Sequence, residues 1–176
     1  IWVAGHSGPE TGEDSRTHFG IFSPGATQMF PDGQVIDIHP WEYNEVPVMI
    51  AAALSTGKPI VALHLTRPPV KIPDRQALGL GSHFEAARGA YILRDWKPGL
   101  PRQGVVMVQG TMSTAGLIEA LPAIDAAGVN VKFVAVPSPQ LFALQDEDYR
   151  QEVLSPGDRL NSTYITNRAR RTMYDW

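Results

Sequence analysis

The chain has 176 residues, room for one ordinary domain or two small ones, and its 43% hydrophobic content against 19% charged residues excludes a disordered polymer. A net charge of −3 gives no general pull toward nucleic acid or an anionic membrane surface, and no partner of either kind is expected. The absence of cysteine removes disulfides, a thiolate nucleophile and Cys-ligated zinc together, and fits a cytoplasmic protein.

Ile1 to Ala4 is an apolar run that reads as a buried strand, with no initiator Met before it, so the chain reads as a piece of something longer. A Gly/Pro/Thr-rich loop follows from Gly5 to His18, placing polar chemistry just past a strand's C-terminal end. Val35 to Ile38 is the next strand, and His39-Pro40 ends it. Tyr43 to Leu54 has helical spacing at Val46, Met49, Ile50 and Ala53, with Pro47 in the first turn, where it is tolerated. Pro59 to Leu65 is a third strand, ending in Thr66-Arg67-Pro68-Pro69. Such alternation predicts a parallel sheet with helical crossovers, an α/β fold.

From about Val70 to Gly89 the rhythm is lost among Pro73, Gly79, Gly81 and Ser82, and residues 72–89 read as a linker between units 1–71 and 90–176. In the second unit Tyr91 to Leu93 and Val105 to Val108 are strands. Gly110 to Ser113 leads into a helix that runs through Ala127, interrupted by Pro122 and stopped by Gly128. Val131 to Val136 is a strand, Gln145 to Val153 a short acidic helix, and Tyr164 to Thr166 a last strand. Arg168, Arg170 and Arg171 follow and read as a solvated or interface face.

Chemistry is expected at two clusters, both at strand C-terminal ends, where open α/β sheets bind ligands. His6, Asp14 and His18 share one loop, and two imidazoles with a carboxylate can hydrogen-bond sugar hydroxyls and move a proton near neutral pH. Their spacing matches no zinc pattern, so no metal ligand is assigned. The plainer alternative is a solvated polar loop. His64 and Arg67 form the second cluster: Arg67, before two prolines, offers a fork for phosphate or carboxylate, or else pairs with a nearby acid at the surface. His64, inside the strand, reads foremost as a satisfied core histidine.

The ordered series of motifs resembles the transketolases. His6 followed by Gly12-Glu13-Asp14-Ser15-Arg16-Thr17-His18 is similar to their His and Gly-Glu-Asp-Gly-Pro-Thr-His segment at the same spacing. Val35-Ile36-Asp37-Ile38-His39-Pro40-Trp41-Glu42 with Asn44-Glu45 resembles their strand, Arg-Pro-Ala-Asp turn and Asn-Glu helix start, and Leu65-Thr66-Arg67 their Leu-Ser-Arg. Val136-Pro137-Ser138, Phe142, Gln145-Asp146, Tyr149-Arg150 and Val153-Leu154 resemble a series in the family's C-terminal domain.

The resemblance implies the end of a pyrimidine-binding domain (1–71), a linker (72–89) and an incomplete C-terminal domain (90–176). It implies transfer of a two-carbon ketol unit from a ketose phosphate to an aldose by way of thiamine diphosphate and magnesium, in the pentose phosphate pathway, by a homodimer. A dihydroxyacetone synthase or deoxyxylulose phosphate synthase relative is an alternative, as is a non-catalytic subunit docking on a partner that carries the cofactor half. A plain sugar-phosphate binding module is a third. By position His6 and Arg67 would hold the substrate phosphate, Asp14 would contact a sugar hydroxyl, and His18 would be catalytic at the donor's reacting end. Ser15-Arg16 departs from the family's Gly-Pro, and Arg16 could itself read an anionic group. The family's cofactor ligands match nothing in this chain, so the cofactor is expected to be held mainly by residues outside it, and the chain alone is expected to be inactive.

Overall fold

The apolar runs between glycine and proline turns form strands, and the 3.6-periodic segments between them form helices, in a computed structural model that describes residues 1–5, 23–67, 69–168, 170–174 and 176. Among these residues two sheets are built. The first is parallel, in the order β1-β3-β2, from β1 (Trp2–Ala4), β2 (Val35–Ile38) and β3 (Ile60–His64). Helices α1 (Ser23–Thr27) and α2 (Glu45–Ser55) belong to its connections, and Pro47 lies in the first turn of α2, where no intrahelical donor is lost.

The second sheet has the order β4-β6-β5-β7, with β4 (Tyr91–Arg94) antiparallel and β5 (Val105–Gln109), β6 (Lys132–Ala135) and β7 (Ser162–Thr166) parallel. Helix α3 (Thr111–Ala126) crosses from β5 to β6, carries Pro122 internally, and ends before Gly128, whose φ of 69° suits the left-handed turn there. After β6 come α4 (Pro139–Ala143), α5 (Glu147–Leu154) and α6 (Pro156–Leu160). Asp146 caps α5 by accepting from the Tyr149 N–H, and Ser155 with Asp158 forms a capping box on α6. The alternation of elements is thus α/β, as the sequence predicts.

Side-chain alternation divides the second sheet between two apolar layers. Val108, Phe133, Ala135, Tyr91 and Leu93 point to one layer, while Val105, Met107, Val134 and Val136 point to the other beneath α4 and α5. The first layer is shared: Ile36, Ile38, Val61 and Leu63 of the first sheet and Met49 and Ala53 of α2 enter the same cluster. The sheets are also tied through the backbone, since the His39 N–H donates to the Pro137 carbonyl at 2.8 Å. At Gly89, φ is 85° and a Cβ would strike the backbone of Ser138 and Phe142, so the turn before β4 and the start of α4 approach as closely as glycine permits.

Two expectations change. β1 is not buried: it lies at the edge of its sheet, with Trp2 41% and Val3 53% exposed, because β3 covers one flank and among the described residues no strand covers the other. Arg168 is not on a solvated face, being 9% exposed, because the chain leaving β7 turns inward over the end of the first sheet. The segment from 72 to 89 contains a 3₁₀ helix (His83–Arg88) packed on α2, and its Arg75 is buried.

Candidate functional site

Strand register sets the site. β2 and β3 pair in parallel with Asp37 opposite Ala62 and Ile38 opposite Leu63, so the next residue, His39, falls beside His64. With a period of two, Asp37, His39 and His64 share the sheet face turned away from the common apolar layer. His64 Nε2 and Asp37 Oδ1 are 2.8 Å apart, and the His39 ring stacks on that of His64 with centroids 4.2 Å apart and planes 12° from parallel. Trp2 meets His64 edge-on, at 5.7 Å between centroids. All three members of the cluster are buried.

Burial, then the His64 ring and the Arg168 guanidinium, hold the His39 pKa well below the ordinary imidazole value. Burial lowers that of His64 as well, with Asp37 pulling the other way. Both rings, lowered from an ordinary value already below 7, are therefore neutral near pH 7. His39 Nδ1 is enclosed without a hydrogen-bond partner. The Asp37 N–H donates to Gln140 Oε1 of α4 at 3.1 Å, so the cluster sits at the seam between the two sheets. Asp37 also borders a groove of about 410 Å³ whose other walls include Gln28, Gln140 and Arg171.

A second buried polar group lies behind it. Arg75 bridges Glu42 and Glu45, donates to the Tyr91 hydroxyl at 3.0 Å and to the Gly81 carbonyl at 2.9 Å, and stacks 4.8 Å over Trp41. The Trp41 indole N–H also donates to the Tyr91 hydroxyl, and Tyr91 in turn donates to Glu45. Burial raises the Glu45 pKa, while Tyr91 and Arg75 oppose it. These contacts leave the network fixed and enclosed, with a structural part to play: it joins the turn after β2, α2 and β4.

Of the residues singled out by sequence, His6, Asp14, Arg16 and His18 lie outside the described residues. His64 is the buried, hydrogen-bonded histidine that its place inside a strand predicts. Arg67 is exposed, three residues beyond the end of β3 and so on the same sheet edge as the cluster. Trp41 is core, whereas Tyr43, Met29 and Phe30 are exposed. Asp37 and His39 were not foreseen as a group, because their meeting with His64 depends on which strand pairs with which.

The geometry defines an α/β protein whose polar side chains gather at the C-terminal ends of parallel strands, the usual ligand edge of such sheets. No family model matches the chain, but individual proteins do. It is 34% identical over 158 residues to a transketolase of Geobacillus stearothermophilus, covering 89% of this chain and 22% of that protein. A solved Leishmania mexicana transketolase superposes on 93% of the chain with a TM-score of 0.73 and 26% identity, and 22% of that protein is covered. A Pichia stipitis transketolase solved in complex with sedoheptulose-7-phosphate shares the fold, with a TM-score of 0.69 over 86% of this chain and 21% of that one, at 22% identity. The chain is transketolase-like in sequence and in fold over almost nine-tenths of its length, and it spans about a fifth of the curated relatives it matches.

Proposed function

We propose that this chain is the substrate-side part of a transketolase-like enzyme, moving a two-carbon ketol unit from a ketose phosphate to an aldose. The observation that carries the reading is the 34% identity to a transketolase across 89% of the chain. In this reading residues 1–71 end a pyrimidine-binding domain and residues 90–176 belong to a C-terminal domain, with 72–89 between them. Arg67 and His6 hold the substrate phosphate, a tetrahedral anion that presents pairs of oxygens to the two parallel N–H groups of a guanidinium fork. Asp14 accepts from a sugar hydroxyl, Arg16 reads a further anionic group, and His18 holds or passes a proton at the donor's reacting end.

Thiamine diphosphate, when bound, supplies the carbanion chemistry of such a transfer. The described residues do not fit its magnesium: a hard ion seeks oxygen ligands, and the one group here with convergent donors offers two imidazoles to a single carboxylate. The cofactor half is assigned to residues outside this chain, contributed by the remainder of a longer polypeptide or by a partner subunit, with a dimer as the working assembly. A cytoplasmic location belongs to the same reading; no helix of the described residues is long and apolar enough to cross a membrane.

The test is a ketol-transfer assay on the protein in its full genomic context and on the 176-residue chain, each with thiamine diphosphate and magnesium. Turnover is expected from the former and none from the latter. In the active protein Arg67→Ala should raise KM for a phosphorylated donor by about 100-fold, the scale of losing a charge-assisted bidentate contact, while leaving an unphosphorylated donor little affected. Equal losses for both donors would remove Arg67 from the phosphate site.

A further inference from the structure

We propose that Asp37, His39 and His64 form a binding site for a divalent transition ion of the zinc class. The inference is independent of the transferase reading. One ligand atom from each of the three residues lies within 4.8 Å of the others, and all three side chains are buried. Surface acidic groups cluster by chance; this one is built by strand register and enclosed.

His39 supplies a separate argument. It is 4% exposed, and its Nδ1 has no hydrogen-bond partner. An enclosed ring nitrogen in that condition has given up its hydrogen bond to water without a replacement, and an ion ligated there would supply the missing partner. Two imidazoles and one carboxylate, with positions left over for water, are a donor set for Zn²⁺ and its transition-metal neighbours and a poor one for Mg²⁺ or Ca²⁺, which prefer oxygen. The site also has an approach, because Asp37 borders the 410 Å³ groove.

Loading asks for small movements. The donors must settle at about 3.3 Å from one another to give metal–nitrogen distances of about 2.1 Å, so the 2.8 Å His64–Asp37 pair opens slightly and the stacked rings re-tilt. His64 Nε2 and Asp37 Oδ1, now joined directly, turn their lone pairs to the ion, and the His64 proton resides on Nδ1. Arg168 opposes binding, because its positive charge acts on both rings and partly cancels that of Asp37. The site is therefore one of moderate affinity, and removing that charge strengthens it.

The chain, freed of metal by chelation, is titrated with Co²⁺ as a visible reporter and with Zn²⁺ in competition. One equivalent of cobalt should give ligand-field bands of a four- or five-coordinate nitrogen and oxygen site, displaced by zinc. His39→Asn, which removes a side chain that makes no hydrogen bond through Nδ1, should weaken binding by at least about 100-fold, and Arg168→Gln should tighten it by about tenfold. Absence of a one-equivalent cobalt spectrum overturns the assignment, and so does unchanged affinity in His39→Asn, which puts the ion elsewhere. Should that variant fail to fold by circular dichroism, the unsubstituted chain decides: cobalt must shift the ring-proton resonances of both His39 and His64, and unshifted rings overturn the proposal.

Discussion

Lys132 is 1% exposed, and its ammonium is held by Asp158 Oδ2 at 2.9 Å, by the Glu152 carbonyl at 3.3 Å, and 4.5 Å over the Trp96 ring. A charge so enclosed depends on its partner. Asp158→Asn should lower the unfolding free energy by about 3 kcal/mol in urea titrations, since a buried cation is left without its counter-charge. Burial pushes the Asp158 carboxyl up, but the hydrogen bonds from Lys132 and from the Ser155 backbone outweigh it, and the net shift is downward. The folded pKa being the lower one, the carboxylate's contribution is present above the ordinary value of 3.8 and is lost as pH falls through the folded value. The Asn variant should lack that part of the acid slope. Residues differ sharply in how far the sequence discloses them. His64 inside a strand and Arg67 at its end are visible from periodicity alone, whereas Asp37 reads only as a polar interruption in an apolar strand. Its significance comes from pairing with β3, a contact 27 residues away along the chain. A loop's residue types are likewise open to reading while their placement is not, which is why His6, Asp14, Arg16 and His18 rest on resemblance.

Among elements, the Arg75 network shows why the segment 72–89 is hard to read. Prolines and glycines give it the composition of a tether, yet Arg75 reaches Glu42 and Glu45, more than 29 residues back, and Tyr91, 16 ahead. Nothing in local pattern encodes a partner at that separation. Strands and helices were legible because two-fold and 3.6-fold alternation are local properties, and Gly128 and Asp146 mark helix ends by backbone and capping chemistry. Arg75→Met should cost about 3 to 5 kcal/mol, as two buried carboxylates then lack their cation. Glu45 already has a raised pKa from burial, and loss of Arg75 raises it further. A raised folded value means stability that is full below the unfolded value and declines as pH rises through the folded one. The Met variant should accordingly gain stability between pH 8 and about pH 5, relative to the parent chain, in urea midpoints measured at both; a constant deficit would show that the carboxylates stay ionised and find other partners.

Across the whole molecule, the sequence presents two units and the structure presents two sheets, but their apolar layer is common property. Ile36, Val61 and Leu63 from one sheet and Leu93, Val108 and Phe133 from the other enter a single cluster, and the His39 to Pro137 hydrogen bond, the Arg75 bridge and the close approach at Gly89 lie around its margin. Sequence separates such units because connectivity is linear, while burial is not. The peptide bonds between the sheets are consequently redundant as an attachment. Leu78 and Gly79 form an exposed turn in that crossing segment, with Gly79 at a φ of 64° and open space around it. A protease cut there should sever the chain without parting it, so that the nicked protein still elutes from a sizing column as one particle, and the two pieces come apart only in denaturant.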